Sequence, residues 1–267
     1  KRMPIQKNKD STRDKVLKKK EKSKEMQEYQ QEFIVEAIRR GVLKTGEFIL
    51  KSGRVSPWFF DMGEFNDGES LKMVGKCYAQ SLRNSDIDFD ILYGIPRKAN
   101  LFIGAIAMSL SEVYKNTPLF SIRGIPKVYG EATRAREKRR YIIGKIPEEG
   151  MAIAQIDDVF TTGNTKIETR RFLESFGTYR FPVLAVAVDR QEVDDAGDNP
   201  IKKYEQKMGT KVLSIVKATD IYEVMKNSFL FQPTETLEQM TEYWAKYGTE
   251  EAKSTLEKLK KKDKILI

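Results

Sequence analysis

Two adjacent carboxylates, Asp157 and Asp158, are followed after Val159 and Phe160 by Thr161-Thr162-Gly163-Asn164-Thr165. A turn of small residues that leads into a helix offers unpaired backbone N–H groups and a partial positive charge, which suits a phosphate. The threonine hydroxyls add donors. Carboxylates just upstream can accept hydrogen bonds from a vicinal diol. Phosphate donors beside diol acceptors describe a ribose 5-phosphate site. Taken alone, the pattern fits a strand-turn-helix with a solvated Asp pair equally well. No Gly-Lys-Ser/Thr follows, so the turn is not a Walker-type phosphate loop.

Cations elsewhere could complete such a site. Lys98 follows the strand Phe89–Tyr93 and its closing Gly94, where open α/β sheets place ligands. Arg190 follows an apolar strand, Phe181–Val188. Arg123 to Gly150 is basic and weakly apolar until Tyr141, reading as a mobile loop able to close over a leaving group. The chain has no histidine, so a Ser-His-Asp triad or a zinc-hydrolase site is excluded. A metal would be a hard cation held by oxygens. One cysteine, Cys77, excludes an internal disulfide framework. With no leader or membrane-spanning run apparent, it fits a reducing, cytoplasmic setting.

The elements that must carry these groups alternate. Met151 to Ile156 reads as a strand buried on both faces. The next helix turns Ile167, Leu173 and Phe176 inward and stops at Gly177. Further strands are expected at Thr117–Ile122, Phe181–Val188 and Lys211–Val216, and helices at Thr219–Met225 and Leu237–Tyr247. The helix Leu101–Leu110 is apolar nearly all round, which predicts burial. Phe33, Ile34, Ala37 and Ile38 mark a first helix ended by Gly41. Gly46 to Phe65 reads as two short strands joined at Ser52-Gly53. Strands alternating with helices predict an α/β fold with an open, mostly parallel sheet.

The formal charge of +9 is uneven. Up to Glu25 there are eleven Lys/Arg against four Asp/Glu, so residues 1–24 read as a disordered basic arm. No aromatic residue interleaves those charges, which argues against nucleic-acid stacking. Residues 25–227 form the expected domain, with 228–267 a helical extension whose end, Glu250 to Lys264, reads as a solvated tail.

Several motifs, agreeing in order and spacing, resemble the orotate phosphoribosyltransferases, enzymes of the type I phosphoribosyltransferase fold. MAIAQIDDVFTTGNT (151–165) resembles the signature for phosphoribosyl pyrophosphate (PRPP). LKSGRVSPWFF (50–60) is similar to that family's hood segment, and VDRQE (188–192) to its orotate arginine motif. The resemblance implies a small N-terminal hood over about 41–66. It implies PRPP binding by Arg97, Lys98, Arg123, Gly124, Lys127 and Tyr129, with Asp157, Asp158, Val159, Phe160, Thr161, Thr162, Gly163, Asn164 and Thr165. Lys98, Arg123 and Lys127 would be catalytic, and Lys51, Phe59, Phe60, Thr161 and Arg190 would hold orotate. Mg²⁺ would be held mainly by PRPP and water. A homodimer is implied, with loop 123–140 reaching the neighbouring site. The chain departs from the pattern at Ala99-Asn100, at Gly124 where a lysine is expected and at Tyr129 in place of histidine. Arg134 or Arg136 could supply the missing charge. A second reading, motivated by that loop and the basic arm, is a catalytically weak regulator of this fold that senses nucleotides or binds RNA.

Overall fold

The computed structural model describes residues 26–96, 98–124, 138–161, 163–228 and 234–263; the basic arm, 1–24, lies outside them. The sheet has six strands: β3 (Ile91–Gly94), β4 (Leu119–Ile122), β5 (Ile142–Gly144), β6 (Ala152–Ile156), β7 (Arg180–Asp189) and β8 (Lys211–Lys217). They run in the order β5-β4-β3-β6-β7-β8. All neighbours are parallel except β4 and β5. Every residue of β6 is buried, so alternate side chains feed two cores, one on each face of the sheet. Leu92, Ala154 and Ile156 enter one core with the hood and most helices; Tyr93, Ile153 and Leu184 enter the other.

On the larger core lie α1 (Glu28–Arg39), α2 (Gly68–Asn84), α3 (Ala99–Val113) and, after β8, α7 (Ala218–Asn227). Gly75 lets α2 and α3 meet closely, since a Cβ there would lie 2.5 Å from the Ala105 carbonyl oxygen. The opposite face carries α5 (Asn164–Glu174) and α6 (Pro200–Met208). The latter is absent from the expectations above. It is capped by Asn199, whose Oδ1 accepts from Ile201 and Lys202, and it opens on a proline at its first turn.

The hood is an antiparallel hairpin of β1 (Leu43–Ile49) and β2 (Val55–Phe60), with a bulge between Thr45 and Phe48. Phe60 stacks on Phe33 at 5.8 Å between ring centroids, tying the hood to α1. The chain ends on α8 (Thr234–Tyr247) and α9 (Glu250–Asp263).

Three expectations are corrected. Helix α3 is not buried all round: Leu101 and Met108, seven residues apart, are 54% and 71% exposed. Segment 123–150 is not wholly loop, because it contributes α4 (Lys138–Tyr141) and β5, which pairs with the otherwise open edge of β4. Helix α9 is no solvated tail: Ala252, Leu256 and Leu259 are buried, Glu251 pairs with Lys217 at 2.5 Å, and the Leu259 carbonyl accepts from Lys226 Nζ.

Helix α2 is started by Asp67, whose Oδ1 accepts from the Ser70 N–H at 2.8 Å, while Arg40 donates to Oδ2 at 2.5 Å. The Ser70 backbone bond, then Arg40, pull this carboxyl down to about 2. A carboxyl lowered on folding stabilises above its unfolded value and loses that contribution as pH falls through the folded one. Asp67→Ala should therefore lower the melting temperature at pH 7, and the gap from wild type should narrow between roughly pH 4 and pH 2; circular-dichroism melts across that range check both.

Candidate functional site

Three loops leave the C-terminal ends of β3, β6 and β7, which are neighbours in the sheet. They are stitched by backbone bonds: Ile95 N–H donates to the Ile156 carbonyl at 2.9 Å, and Ala187 N–H to that of Asp158 at 2.8 Å. Strands lie about 4.8 Å apart, so the outer two of the three loops start about 10 Å from each other. That is the scale of a sugar phosphate.

The two carboxylates occupy different environments. Asp157 is buried, its Oδ2 lies 2.7 Å from Lys166 Nζ, and its Oδ1 accepts from the Asp158 N–H at 2.9 Å. Burial pushes its carboxyl up, Lys166 pulls it back and Asp158 adds to the rise; the net direction is upward. Tyr78 on α2 donates to the Asp157 carbonyl at 2.7 Å. Asp158 is more open, and its Oδ2 lies 3.6 Å from Lys98 Nζ.

Beyond them the turn ends at Gly163, whose φ of 78° is the left-handed conformation that glycine tolerates at least cost. A Cβ there would come within 3.0 Å of both Phe160 and Tyr204. Helix α5 starts one residue later, so Asn164 and Thr165 form its first turn rather than part of the loop. Thr161, Asn164 and Thr165 are exposed at this helix start. Phe160 packs edge-on to Tyr204, and Val159 lies against the larger core. The expected PRPP contacts of these two residues therefore fall to their backbone. Arg97, Thr162, Lys127 and Tyr129 lie outside the described residues, as do Arg134 and Arg136.

Lys98 has a second carboxylate partner in the hood, Asp61 Oδ1 at 3.1 Å. Asp61 also faces Lys44 at 3.3 Å, and Lys44 faces Glu64 at 2.7 Å. Burial works against the Lys98 charge, but Asp61 and Asp158 outweigh it and hold its pKa above the ordinary lysine value. Arg123 leaves β4 half-buried, with its N–H bonded to the Tyr141 carbonyl at 2.7 Å, and Gly124 is exposed beside it.

Arg190 is fixed from three sides. Its guanidinium lies 3.9 Å over the Trp58 ring, donates from Nη2 to Ser56 Oγ at 2.9 Å, and pairs with Glu192 Oε1 through Nε at 2.8 Å and Nη2 at 2.7 Å. Trp58 in turn packs on Trp244 of α8, with centroids 6.1 Å apart. The turn after Arg190 depends on Gln191, a non-glycine residue at φ 52°. It is held by its N–H to Asp189 Oδ1 and by its carbonyl, which accepts from Thr249.

Ser56 and Asp61 thus connect the hood to two different loops. Four residues lie between them, a reach of about 16 Å over five extended steps. Lys51 is exposed in the hairpin turn, whose neighbour Arg54 donates to the Val193 carbonyl at 2.6 Å and to Asp195 at 2.9 Å. Phe59 and Phe60 do not share a face. Ser56, Trp58 and Phe60 alternate inward; Phe60 belongs to the core with Phe33, while Phe59 stacks on Phe48 at 5.6 Å. The Phe60 ring therefore cannot face a base beside Phe59, because a strand sends successive side chains to opposite faces.

Sequence reasoning passed over Lys166, Asp61 and Ser56. Lys166 had a signal: it lies seven residues before Leu173, on the same inward helix face.

No protein-family model matches the chain. It is 38% identical over 200 residues to an orotate phosphoribosyltransferase of Ruthia magnifica subsp. Calyptogena magnifica, an alignment spanning 74% of this chain and 90% of that one. It is 34% identical over 222 residues to the one of Halorhodospira halophila, spanning 83% and 98%. Among solved structures, the orotate phosphoribosyltransferase of Francisella tularensis superposes with a TM-score of 0.67 at 30% identity, covering 81% of this chain and 99% of that one.

Arg190 is a test of the site's internal balance. Glu192→Ala leaves a buried guanidinium without its carboxylate, which should destabilise the fold by about 3 kcal/mol; urea unfolding monitored by tryptophan fluorescence measures it.

Proposed function

The chain belongs to the orotate phosphoribosyltransferase family, and on that premise we propose that it transfers the ribose 5-phosphate of PRPP to orotate. The products are orotidine 5'-monophosphate and pyrophosphate, a step of pyrimidine nucleotide synthesis. The observation that carries the reading is the convergence of Lys98, Asp158 and the α5 N-terminus at the C-terminal end of the sheet, one strand from a buried, oriented arginine.

In this reading the N–H groups from Thr161 to Thr165 receive the 5'-phosphate at the helix start, where the dipole favours an anion. Asp158 accepts from the ribose hydroxyls. Lys98, Arg123 and Lys127 attract the pyrophosphate. The C1'–oxygen bond breaks, pyrophosphate leaves with the electron pair, and the ring nitrogen of orotate, its proton already given up to solvent, forms the new bond to C1'. The transition state carries positive charge on the sugar, so catalysis rests on positioning and on charge placed in advance. A nucleophile that is already anionic needs no general base, which agrees with a chain lacking histidine. Arg190 grips the orotate carboxylate, with Lys51 contributing from the hairpin turn.

Among the described residues no three Asp, Glu, Cys or His side chains converge into a metal cage. The open carboxylates of Asp158 and Asp61 beside Lys98 fit a hard cation carried in by the diphosphate and water rather than by the protein. Bound Mg²⁺ would offset the charge of the leaving pyrophosphate.

We read the enzyme as a cytoplasmic homodimer. The exposed Leu101 and Met108 on α3 give a second copy an apolar face. No helix among the described residues is long and apolar enough to cross a membrane. Nothing in the fold or the relatives favours the regulator reading.

Initial rates with PRPP and Mg²⁺ should show turnover of orotate and none of uracil or hypoxanthine; turnover of a neutral base would remove the carboxylate role of Arg190. Arg190→Ala should lower kcat/KM for orotate at least about thirtyfold, because a charge-paired contact is lost. Lys127→Ala should lower kcat far more than it raises the KM for orotate, and an unchanged kcat would take Lys127 out of the mechanism.

A further inference from the structure

Lys166 has no part in the chemistry above, yet it is only 5% exposed. A lysine on a helix is ordinarily solvated, and a buried ammonium persists only where it is paired and hydrogen-bonded. Lys166 Nζ lies 2.7 Å from Asp157 Oδ2, donates to the Val159 carbonyl at 2.9 Å, and faces the Phe160 ring at 5.7 Å. These are three of the four residues that lead from β6 to Thr161. One ammonium on α5 therefore binds the start of the loop to the helix that the loop enters.

We propose that Lys166 is a positioning residue for PRPP: it ties the Asp157 carboxylate to the Val159 carbonyl from beneath, fixing the loop backbone that receives the 5'-phosphate and leaving Asp158 as the carboxylate that faces the ribose. The inference rests on the phosphoribosyl reading of this loop. It assigns different roles to the two carboxylates, as their surroundings do. The Asp157 side chain is turned to Lys166 and the core, whereas that of Asp158 opens toward Lys98.

The groups facing Asp157 from the elements around it are Lys166 on α5, Asp158 in its own loop, Tyr78 on α2 and Tyr93 on β3. Lys166 is the cation among them. Without it Asp157 would be buried beside a second carboxylate and two neutral phenols, and would take up a proton at higher pH. A packing role alone would not move that titration.

The test uses the full chain with Lys166→Met and Lys166→Gln. KM for PRPP should rise about tenfold or more in Lys166→Met, with KM for orotate within about twofold. The acid limb of kcat/KM for PRPP should move up by about one pH unit or more. Lys166→Gln, which keeps one donor, should recover part of the loss. A folded Lys166→Met with wild-type KM for PRPP and an unmoved acid limb overturns the proposal. If Lys166→Met does not fold, Asp157→Asn with Lys166→Met removes both buried charges; it should fold and bind PRPP weakly by calorimetry, and wild-type affinity there overturns the proposal. Wild-type protein that binds PRPP without consuming orotate refutes the orotate reading alone, and calorimetry still reports on Lys166. Wild-type protein that binds no PRPP overturns both.

Discussion

The ion pair between Asp157 and Lys166 is the contact on which the loop's geometry depends. A carboxylate at the end of a fully buried strand would be expensive to keep charged. Placed 2.7 Å from an ammonium that is itself buried, it becomes a fixed point from which the chain turns outward. Everything after it is then constrained: Asp158 toward Lys98, Val159 onto β7 through its bridge with Val188, Phe160 against Tyr204, and Gly163 into the left-handed conformation that starts α5.

The hood solves a different problem. The loops after β3 and β7 are separated by the β6 loop, so neither can hold the other directly. A single strand crosses the gap, with Ser56 and Trp58 on Arg190 and Asp61 on Lys98. The two ends differ in kind. Arg190 is buried and sandwiched, its orientation set by a carboxylate, a hydroxyl and an indole. The Lys98 end is half-open, and its ion pairs exchange readily with solvent or with an incoming anion. In the proposed reading, the end assigned to the base is rigid and the end assigned to the diphosphate is loose. Helix α8 supports the rigid end through Trp244, which explains why a chain segment far from the strands matters to it.

Much of this was legible. The β6 strand, the Asp pair, the glycine turn and the helix after it follow from periodicity and turn chemistry, and Arg190 from the resemblance of VDRQE to the family's arginine motif. What was not legible follows from physical causes. Lys166 and the acid of the hood, Asp61, carry no mark in composition, which says nothing of burial. The family motif implies that Phe59 and Phe60 act together, although strand alternation separates them. Helix α9 reads as a tail because its charges dominate, although Ala252, Leu256 and Leu259 recur at helical spacing and are buried. The strand β5 is three residues long and exists through pairing with β4, which no local pattern encodes.

The distribution of charge gives the last step. The chain's surplus of positive charge belongs chiefly to its first 25 residues, yet three cations around the site are matched: Lys98 by Asp61 and Asp158, Arg190 by Glu192, Lys166 by Asp157. A site that collected anions by bulk attraction would leave its cations unpaired and would hold any phosphate. Pairing lowers that general attraction and makes binding depend on geometry, because an incoming anion must offer better-placed oxygens than the carboxylates it displaces. Lys98 can make that exchange from its half-open position. Arg190 is buried with Glu192 and Ser56 as fixed partners, so its orientation is set before any substrate arrives. In the proposed reading, selectivity for a diphosphate at one end and a carboxylate at the other rests on this difference in how two cations are held.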